Sequence, residues 1–185
     1  MEEHLKQLPS NCIKVVLFGP ESTGKTTLAK ALAEHYNTVW VEEYAREYLE
    51  NKWHNSGEIC TRKDIYPIAV GQMRLENEAA NKANKFLFCD TSLLSTQVYS
   101  KAYFDNWCDP RVLAANKENH YDLYFLTDID VPWERDLLRD RPHQREQMFK
   151  RFKSALTQRN LTFITLNGTT EKRLKQAISY IGKIS

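Results

Sequence analysis

Several features are scarce in this sequence, and each scarcity closes a route. No apolar run approaches the length needed to cross a bilayer. The opening MEEHLKQLPS is acidic and lacks the apolar stretch of a secretory leader. Lysine and arginine total 26 against 24 acidic residues, a formal net charge of +2 with no basic block, which argues against a nucleic-acid partner. The four cysteines, Cys12, Cys60, Cys89 and Cys108, show no C-x-x-C spacing. Cys12 and Cys89 fall in strand-like runs, so buried free thiols are expected rather than disulfides or metal ligands. The five histidines form no H-E-x-x-H pair, so a zinc site is not expected. Six glycines and six prolines are spread without repeats or low-complexity linkers. These features predict a cytoplasmic protein whose 185 residues form one domain with a substantial core.

What is present is concentrated. Gly19-Pro20-Glu21-Ser22-Thr23-Gly24-Lys25-Thr26 satisfies G-x-x-x-x-G-K-[ST] at every fixed position, and Thr27 extends it. Average residue usage makes a chance match in a chain of this length an event on the order of one percent. The stretch before it, Cys12 to Phe18, is short, apolar and valine-rich, as a buried strand is. After Lys25, Leu28, Leu32 and Tyr36 recur at helical spacing. Glycines allow backbone angles at which successive N–H groups face phosphate oxygens, and the helix start adds a partial positive charge. Lys25 would then reach the β- and γ-phosphates of ATP, with the Thr26 hydroxyl on Mg²⁺.

The rest of the chain alternates strands and helices. Strands are predicted near Cys12–Phe18, Thr38–Val41, Phe86–Cys89, Leu123–Leu126 and Leu161–Leu166, with helices between and after them. Asp109-Pro110 reads as a helix N-cap followed by proline at the first helical position. Leu174, Ala177, Ile178 and Ile181 form one face of a final helix after Asn167-Gly168. Such alternation predicts an α/β protein: a three-layer P-loop NTPase fold with a mostly parallel five-stranded sheet and helices on both faces. Ligands in that architecture bind beyond the carboxyl ends of the strands.

Residues after the strands are therefore candidates. Asp90 ends Phe86-Leu87-Phe88-Cys89 and suits a magnesium-holding carboxylate; the bland reading is a helix cap shared with Thr91 or Ser92. Glu42 to Tyr48 follows the second strand, either as an acidic helix start or as an acceptor site with a carboxylate near the attacking hydroxyl. Gln72 is the polar member of an apolar stripe along a helix from Ile65 to Ala83. It is either a satisfied buried amide or a substrate contact. Trp133 to Arg145 holds four arginines within eleven residues. Either these form a solvated face, or the region about 130–145 is a small lid that closes over the triphosphate, with Arg139, Arg141 and Arg145 as candidates for catalysis.

Four stretches together carry a family resemblance: GPESTGKTTLAKALAEHYNTVWVEEYAREYLE, GQMRLENEA, FLFCDTSLLSTQVYS and VPWERDLLRDR. They resemble the ribosylnicotinamide kinase domain of the bacterial NAD-biosynthesis regulator NadR, from about Ile13 to Arg145. The P-loop is common to many families, whereas E-Y-x-R-E at Glu43–Glu47 and D-T-x-x-x-x-T-Q at Asp90–Gln97 are more particular. Two positions depart from the pattern. Ser92 stands where a second aspartate is frequent, and Glu42 stands where tryptophan precedes the glutamate of E-Y-x-R-E.

The resemblance implies a nucleoside-kinase-like P-loop fold and ATP- and magnesium-dependent phosphorylation of nicotinamide riboside to its mononucleotide. It marks Glu43, Tyr44, Arg46, Gln72, Thr91 and Gln97 as substrate-binding candidates. Lys25, Asp90 and Glu43 join the lid arginines as catalytic ones. Thr26 and Asp90 are the metal candidates. No segment resembles a helix-turn-helix or an adenylyltransferase domain, so neither DNA-binding repression nor dinucleotide synthesis is expected. Two alternatives stay open: another small-molecule kinase on the same scaffold, and a regulatory ATPase without an acceptor. Whether Asp90 or Glu43 receives the hydroxyl proton is likewise open.

Overall fold

A computed structural model describes residues 2–136 and 142–183. Five strands, β1 (Ile13–Phe18), β2 (Trp40–Val41), β3 (Phe86–Asp90), β4 (Leu123–Thr127) and β5 (Phe163–Leu166), pair in parallel in the order β2-β3-β1-β4-β5. Seven α-helices are described: α1 (Lys25–His35), α2 (Tyr44–Ser56), α3 (Ile65–Ala80), α4 (Leu93–Tyr103), α5 (Pro110–Glu118), α6 (Arg145–Gln158) and α7 (Thr170–Ile181).

The alternation of side chains along β1 explains the layers. Val15 and Leu17 pack with Leu28 and Leu32 of α1 and Ala177 and Ile181 of α7. Val16 and Phe18 point to the other face, where Leu94 and Val98 of α4 and Met148, Phe152 and Leu156 of α6 cover them. A central strand buried on both faces reads as a near-continuous apolar run, and β1, β3 and β4 do so apart from the buried Lys14, Asp90 and Thr127. A third cluster, including Ile65, Met73, Leu93, Val112 and Leu5, joins α3, α4 and α5 to the N-terminal segment.

The expected strands and helices are all present, with shifted ends. Strand β2 is shorter than Thr38–Val41 because the Thr38 hydroxyl takes up the edge bonding: it donates to the Phe86 carbonyl (2.6 Å) and accepts from the Asn84 amide (3.0 Å). Strand β5 starts at Phe163 rather than Leu161, because the Leu161 amide is still bonded to the Leu156 carbonyl of α6. Helix α3 ends at Ala80 rather than Ala83, where Lys82 and Ala83 both turn back to the Ala79 carbonyl. Asp109 caps α5 by accepting from the Arg111 amide, with Pro110 next in line. All four cysteines are free, with Cys89 and Cys108 buried and Cys12 and Cys60 partly so.

The strand order places β1 in the centre, with β3 and β4 on opposite sides. Its carboxyl end is therefore the topological switch point, where the crevice of an open α/β sheet lies. Leu17 pairs with Asp90 and Phe18 with Leu126, so the loop after β1 is flanked by the ends of both neighbours.

Candidate active site

Backbone angles first make the loop after β1 a cradle. Gly19, Ser22 and Gly24 have φ of 147°, 56° and 78°, so the chain curls between the strand and α1. A Cβ at Gly19 would lie 2.5 Å from the Thr127 hydroxyl, so only glycine passes the end of β4 here. The loop's carbonyls are engaged from behind. Thr23 Oγ1 (2.8 Å) and Lys25 Nζ (2.9 Å) both reach the Pro20 carbonyl. The Thr23 and Thr127 hydroxyls lie 2.7 Å apart. Arg145 Nη2 donates to the Ser22 carbonyl (3.3 Å), and Arg173 Nη1 donates to that of Thr23 (2.5 Å). Residues Glu21 to Thr27 line a cleft of about 1360 Å³, while Gly19 and Pro20 form the loop's entry behind that surface.

Beside the cradle, Thr26 donates its hydroxyl to Asp90 Oδ2, while Asp90 Oδ1 is buried without a hydrogen-bond partner among the described residues. Burial raises the Asp90 pKa above the ordinary carboxylate value, against the opposing influence of Lys25, the Thr26 hydroxyl and Arg46. Ser92, not Asp90, occupies the N-cap position of α4, so the helix-cap reading does not account for the aspartate. Thr91, buried between them, has φ of 110°. For a β-branched residue that is a strained angle, of the kind found at functional sites, costing on the order of 1–3 kcal/mol. An orphaned carboxylate oxygen beside a threonine hydroxyl fits a hard cation such as Mg²⁺, which takes oxygen ligands and keeps much of its water. No cluster of three or more His, Cys, Asp or Glu suited to a metal occurs among the described residues, and a Mg²⁺ that keeps most of its water would need none.

The far end of the cleft is built by α2, the turn that follows it, and α4. Glu43 precedes α2 and lines the cleft, as does Arg46. Tyr44 departs from the stacking role expected of it. Its ring lies against Gly71 of α3, where any Cβ would meet it at 1.9 Å, and it is absent from the cleft lining. Gln72 is the satisfied buried amide: its Oε1 accepts from the Tyr44 amide (2.9 Å) and its Nε2 donates to the Glu42 carbonyl (3.0 Å). It thus fixes the backbone on either side of Glu43. Gln97 faces away too, accepting from Asn116 Nδ2 (3.1 Å) of α5. Spacing alone does not say which face of α2, α3 or α4 meets the cleft.

The faces that meet it are regular once seen. Ala45, Leu49 and Trp53 recur every fourth residue on α2, and Thr96, Tyr99, Ser100 and Tyr103 form the matching stripe on α4. Glu58, Ile59, Cys60, Ile65, Ile68 and Phe104 complete the chamber. Burial, then the charges of Glu43 and Glu21, push the Tyr99 hydroxyl well above its ordinary pKa, so it stays neutral near both carboxylates. Arg46 is paired with Glu50 (3.1 Å) and Asp136 (3.0 Å). The loop bearing Ile59 and Cys60 is pinned by Asp64, which accepts from Lys52 (2.7 Å), Tyr48 (3.0 Å) and the amide and hydroxyl of Thr61 (both 2.7 Å).

Of the lid candidates, Arg139 and Arg141 lie outside the described residues. Arg145 opens α6, bonded to the P-loop at Ser22 and 5.7 Å from the Trp133 ring centre. The Glu134 amide also donates to Ser22 Oγ (2.8 Å). The sequence reading missed Asp130, Gly168, Thr169 and Thr170, which line the cleft, and Arg173 behind them. Asp130 and Gly168 do follow strands, a signal that could have found them; Arg173, inside a helix, gives none.

Residues 14–173 match the protein family described as AAA domain, which covers most of the chain. The chain belongs to this family. Among curated relatives, the trifunctional NAD biosynthesis/regulator proteins NadR of Salmonella typhimurium (strain LT2) and Escherichia coli (strain K12) are each 34% identical over 125 residues. That is 68% of this chain and 30% of theirs, so the chain spans under a third of the length of these relatives. Among solved structures, a NadR protein in complex with NAD and AMP-PNP superposes with a TM-score of 0.77 at 25% identity, over 94% of this chain and 49% of that one. A NadR protein in complex with NR gives 0.78 at 24% over the same shares. Deoxyadenosine kinase from M. mycoides gives 0.68 at 14%, over 92% of this chain and 100% of the other, a likeness of fold. The family match includes the P-loop, Asp90 and, at its last residue, Arg173.

Proposed function

We propose that the chain is one cytoplasmic kinase domain that transfers the γ-phosphoryl group of Mg·ATP to the 5′-hydroxyl of nicotinamide riboside. The observation that carries this reading is the cleft's asymmetry. One end is a phosphate cradle. The other is an aromatic and apolar chamber with Glu43 and Glu58, whose arginine, Arg46, is already paired with two carboxylates. A nucleoside monophosphate needs cations around its dianion. A nucleoside with a pyridinium ring gains instead from carboxylates and aromatic faces. The kinship with NadR proteins, one of them solved with NR, supports the same acceptor.

Catalysis on this reading is positioning and electrostatics, since phosphoryl transfer passes through a loose transition state. Loop amides from Glu21 to Thr27 and Lys25 hold the phosphates. Thr26 and Asp90 would hold Mg²⁺, which neutralises charge on the β- and γ-phosphate oxygens when bound. Glu43 lines the cleft whereas Asp90 is buried against Thr26, so Glu43 is assigned the acceptor hydroxyl and its proton. Tyr99 keeps its hydroxyl neutral near it, and Arg145 steadies the loop at Ser22. Thr91 holds the turn between Asp90 and α4 rather than a ligand.

The test is ADP release from purified protein with Mg·ATP against nicotinamide riboside, adenosine, cytidine, thymidine monophosphate and no acceptor. Nicotinamide riboside should raise the rate most. A preference for the monophosphate would overturn the acceptor assignment, and an ATPase rate that no acceptor raises would overturn the kinase.

A further inference from the structure

Arg173 is a cation in an unfavourable place. It lies in the first turn of α7, where the helix macrodipole disfavours positive charge, and it is 2% exposed. Its Nε has no hydrogen-bond partner among the described residues. Stabilising α7 does not explain a buried guanidinium with an unmet donor. Its other donors do: Nη1 reaches the Thr23 carbonyl of the P-loop (2.5 Å), while Nη2 reaches the Asp128 carbonyl (3.0 Å) and the Asp130 carboxylate. Asp130 in turn accepts from the Gly168 amide (2.5 Å). One side chain thus ties together the loops after β1, β4 and β5, all at the carboxyl end of the sheet.

The bond to Thr23 has a directional consequence. In a trans peptide the C=O and N–H point opposite ways. Anchoring the Thr23 carbonyl away from the cleft therefore turns the Gly24 amide toward it, and Gly24 lines the cleft. Gly24 has φ of 78°, at the junction with α1, where peptide orientation is least fixed by repeating structure. We propose that Arg173 is a positioning residue for the phosphate cradle: it holds the Thr23–Gly24 peptide so that its N–H faces the bound phosphates. Planar and forked, a guanidinium serves Thr23, Asp128 and Asp130 at once; a lysine ammonium in its place does not match that geometry. This inference rests on the P-loop holding a triphosphate and is independent of the acceptor.

Calorimetric binding to Mg·AMP-PNP, inorganic tripolyphosphate and adenosine, with KM for both substrates, separates the possibilities. Arg173→Lys should weaken both phosphate ligands at least about tenfold, as for loss of a preorganised donor. Adenosine affinity and acceptor KM should stay within about twofold of wild type. Unchanged tripolyphosphate affinity in folded Arg173→Lys would overturn the inference, and so would equal losses for adenosine and acceptor, which mark a general loosening. If that variant does not fold, Asp130→Asn takes its place by removing the anion that holds the guanidinium. A loss of about threefold or more confined to phosphate ligands supports the inference, and unchanged affinity overturns it. Wild-type protein that binds no phosphate ligand would bring down the nucleotide site itself.

Discussion

Glu76 and Asp90 are buried carboxylates near opposite ends of the same sheet, and they are treated differently. Glu76, fully buried near the amino end, has both oxygens engaged: Lys14 Nζ (3.2 Å) and Gln7 Nε2 (2.8 Å) donate to one, Tyr121 (2.7 Å) to the other. Asp90, at the carboxyl end, has one oxygen on Thr26 and one on nothing among the described residues. Burial exacts a similar desolvation cost at both places, yet only one is fully compensated. The satisfied carboxylate ties the N-terminal segment and α3 to β1. The unsatisfied one sits next to a strained Thr91 and the P-loop, where a ligand can complete it. Complete pairing marks architecture, and the vacant lone pair marks the site.

The comparison can be broken at either end. Glu76→Gln strands the Lys14 charge in the core and should cost about 3–5 kcal/mol. Thermal unfolding should then move down by roughly 6–20 °C, with Mg·AMP-PNP affinity at low temperature unchanged. A stability change with equal loss of nucleotide binding would erase the distinction between the two ends. Asp90→Asn should do the reverse, lowering phosphoryl transfer by about 10²-fold or more while leaving the melting temperature equal or higher, since a buried, half-paired charge is gone. A large fall in melting temperature would recast Asp90 as architecture.

Lys25→Ala belongs with Asp90, with at least about a 10²-fold loss in turnover and an intact fold by circular dichroism. Undiminished turnover would remove the P-loop from the mechanism. Glu43→Gln should spare ATP affinity and reduce transfer to nicotinamide riboside at least about tenfold, roughly 1.4 kcal/mol. Unchanged kinetics with that acceptor would rule out a needed charge there.

The smallest effect concerns Asp64, a satisfied carboxylate that lies next to the chamber. Burial raises its pKa, but Lys52, Thr61 and Tyr48 more than offset this and hold it below the ordinary carboxylate value. A depressed folded pKa contributes stability that is full above the unfolded value and is lost as pH falls through the folded one. The stability gap between wild type and Asp64→Asn, from urea titrations, should therefore be constant near neutrality and close below about pH 4. A gap that widened in acid would contradict that sign.

Much of this was legible in one dimension because the governing physics is local. A Gly-rich loop between an apolar strand and a helix specifies a phosphate cradle wherever it folds. Strand and helix periods announce a parallel sheet covered on both faces, and Asp90 follows from its place after a strand. Tertiary structure decided what depends on rotation about a helix axis and on partners far along the chain. Tyr44 and Gln72 turned out to brace α2 against α3, because the space over Gly71 admits a ring and a buried amide needs two partners. Gln97 went to Asn116, while Trp53, Tyr99 and Tyr103 took the cleft. Arg173 reaches a carbonyl 150 residues away in sequence, a contact that no spacing encodes. The sequence by itself determined the glycine-rich loop and the sheet, since short-range patterns dictate them. Which side chains line the far end of the cleft, and which hold the loop from behind, only the packed fold decided.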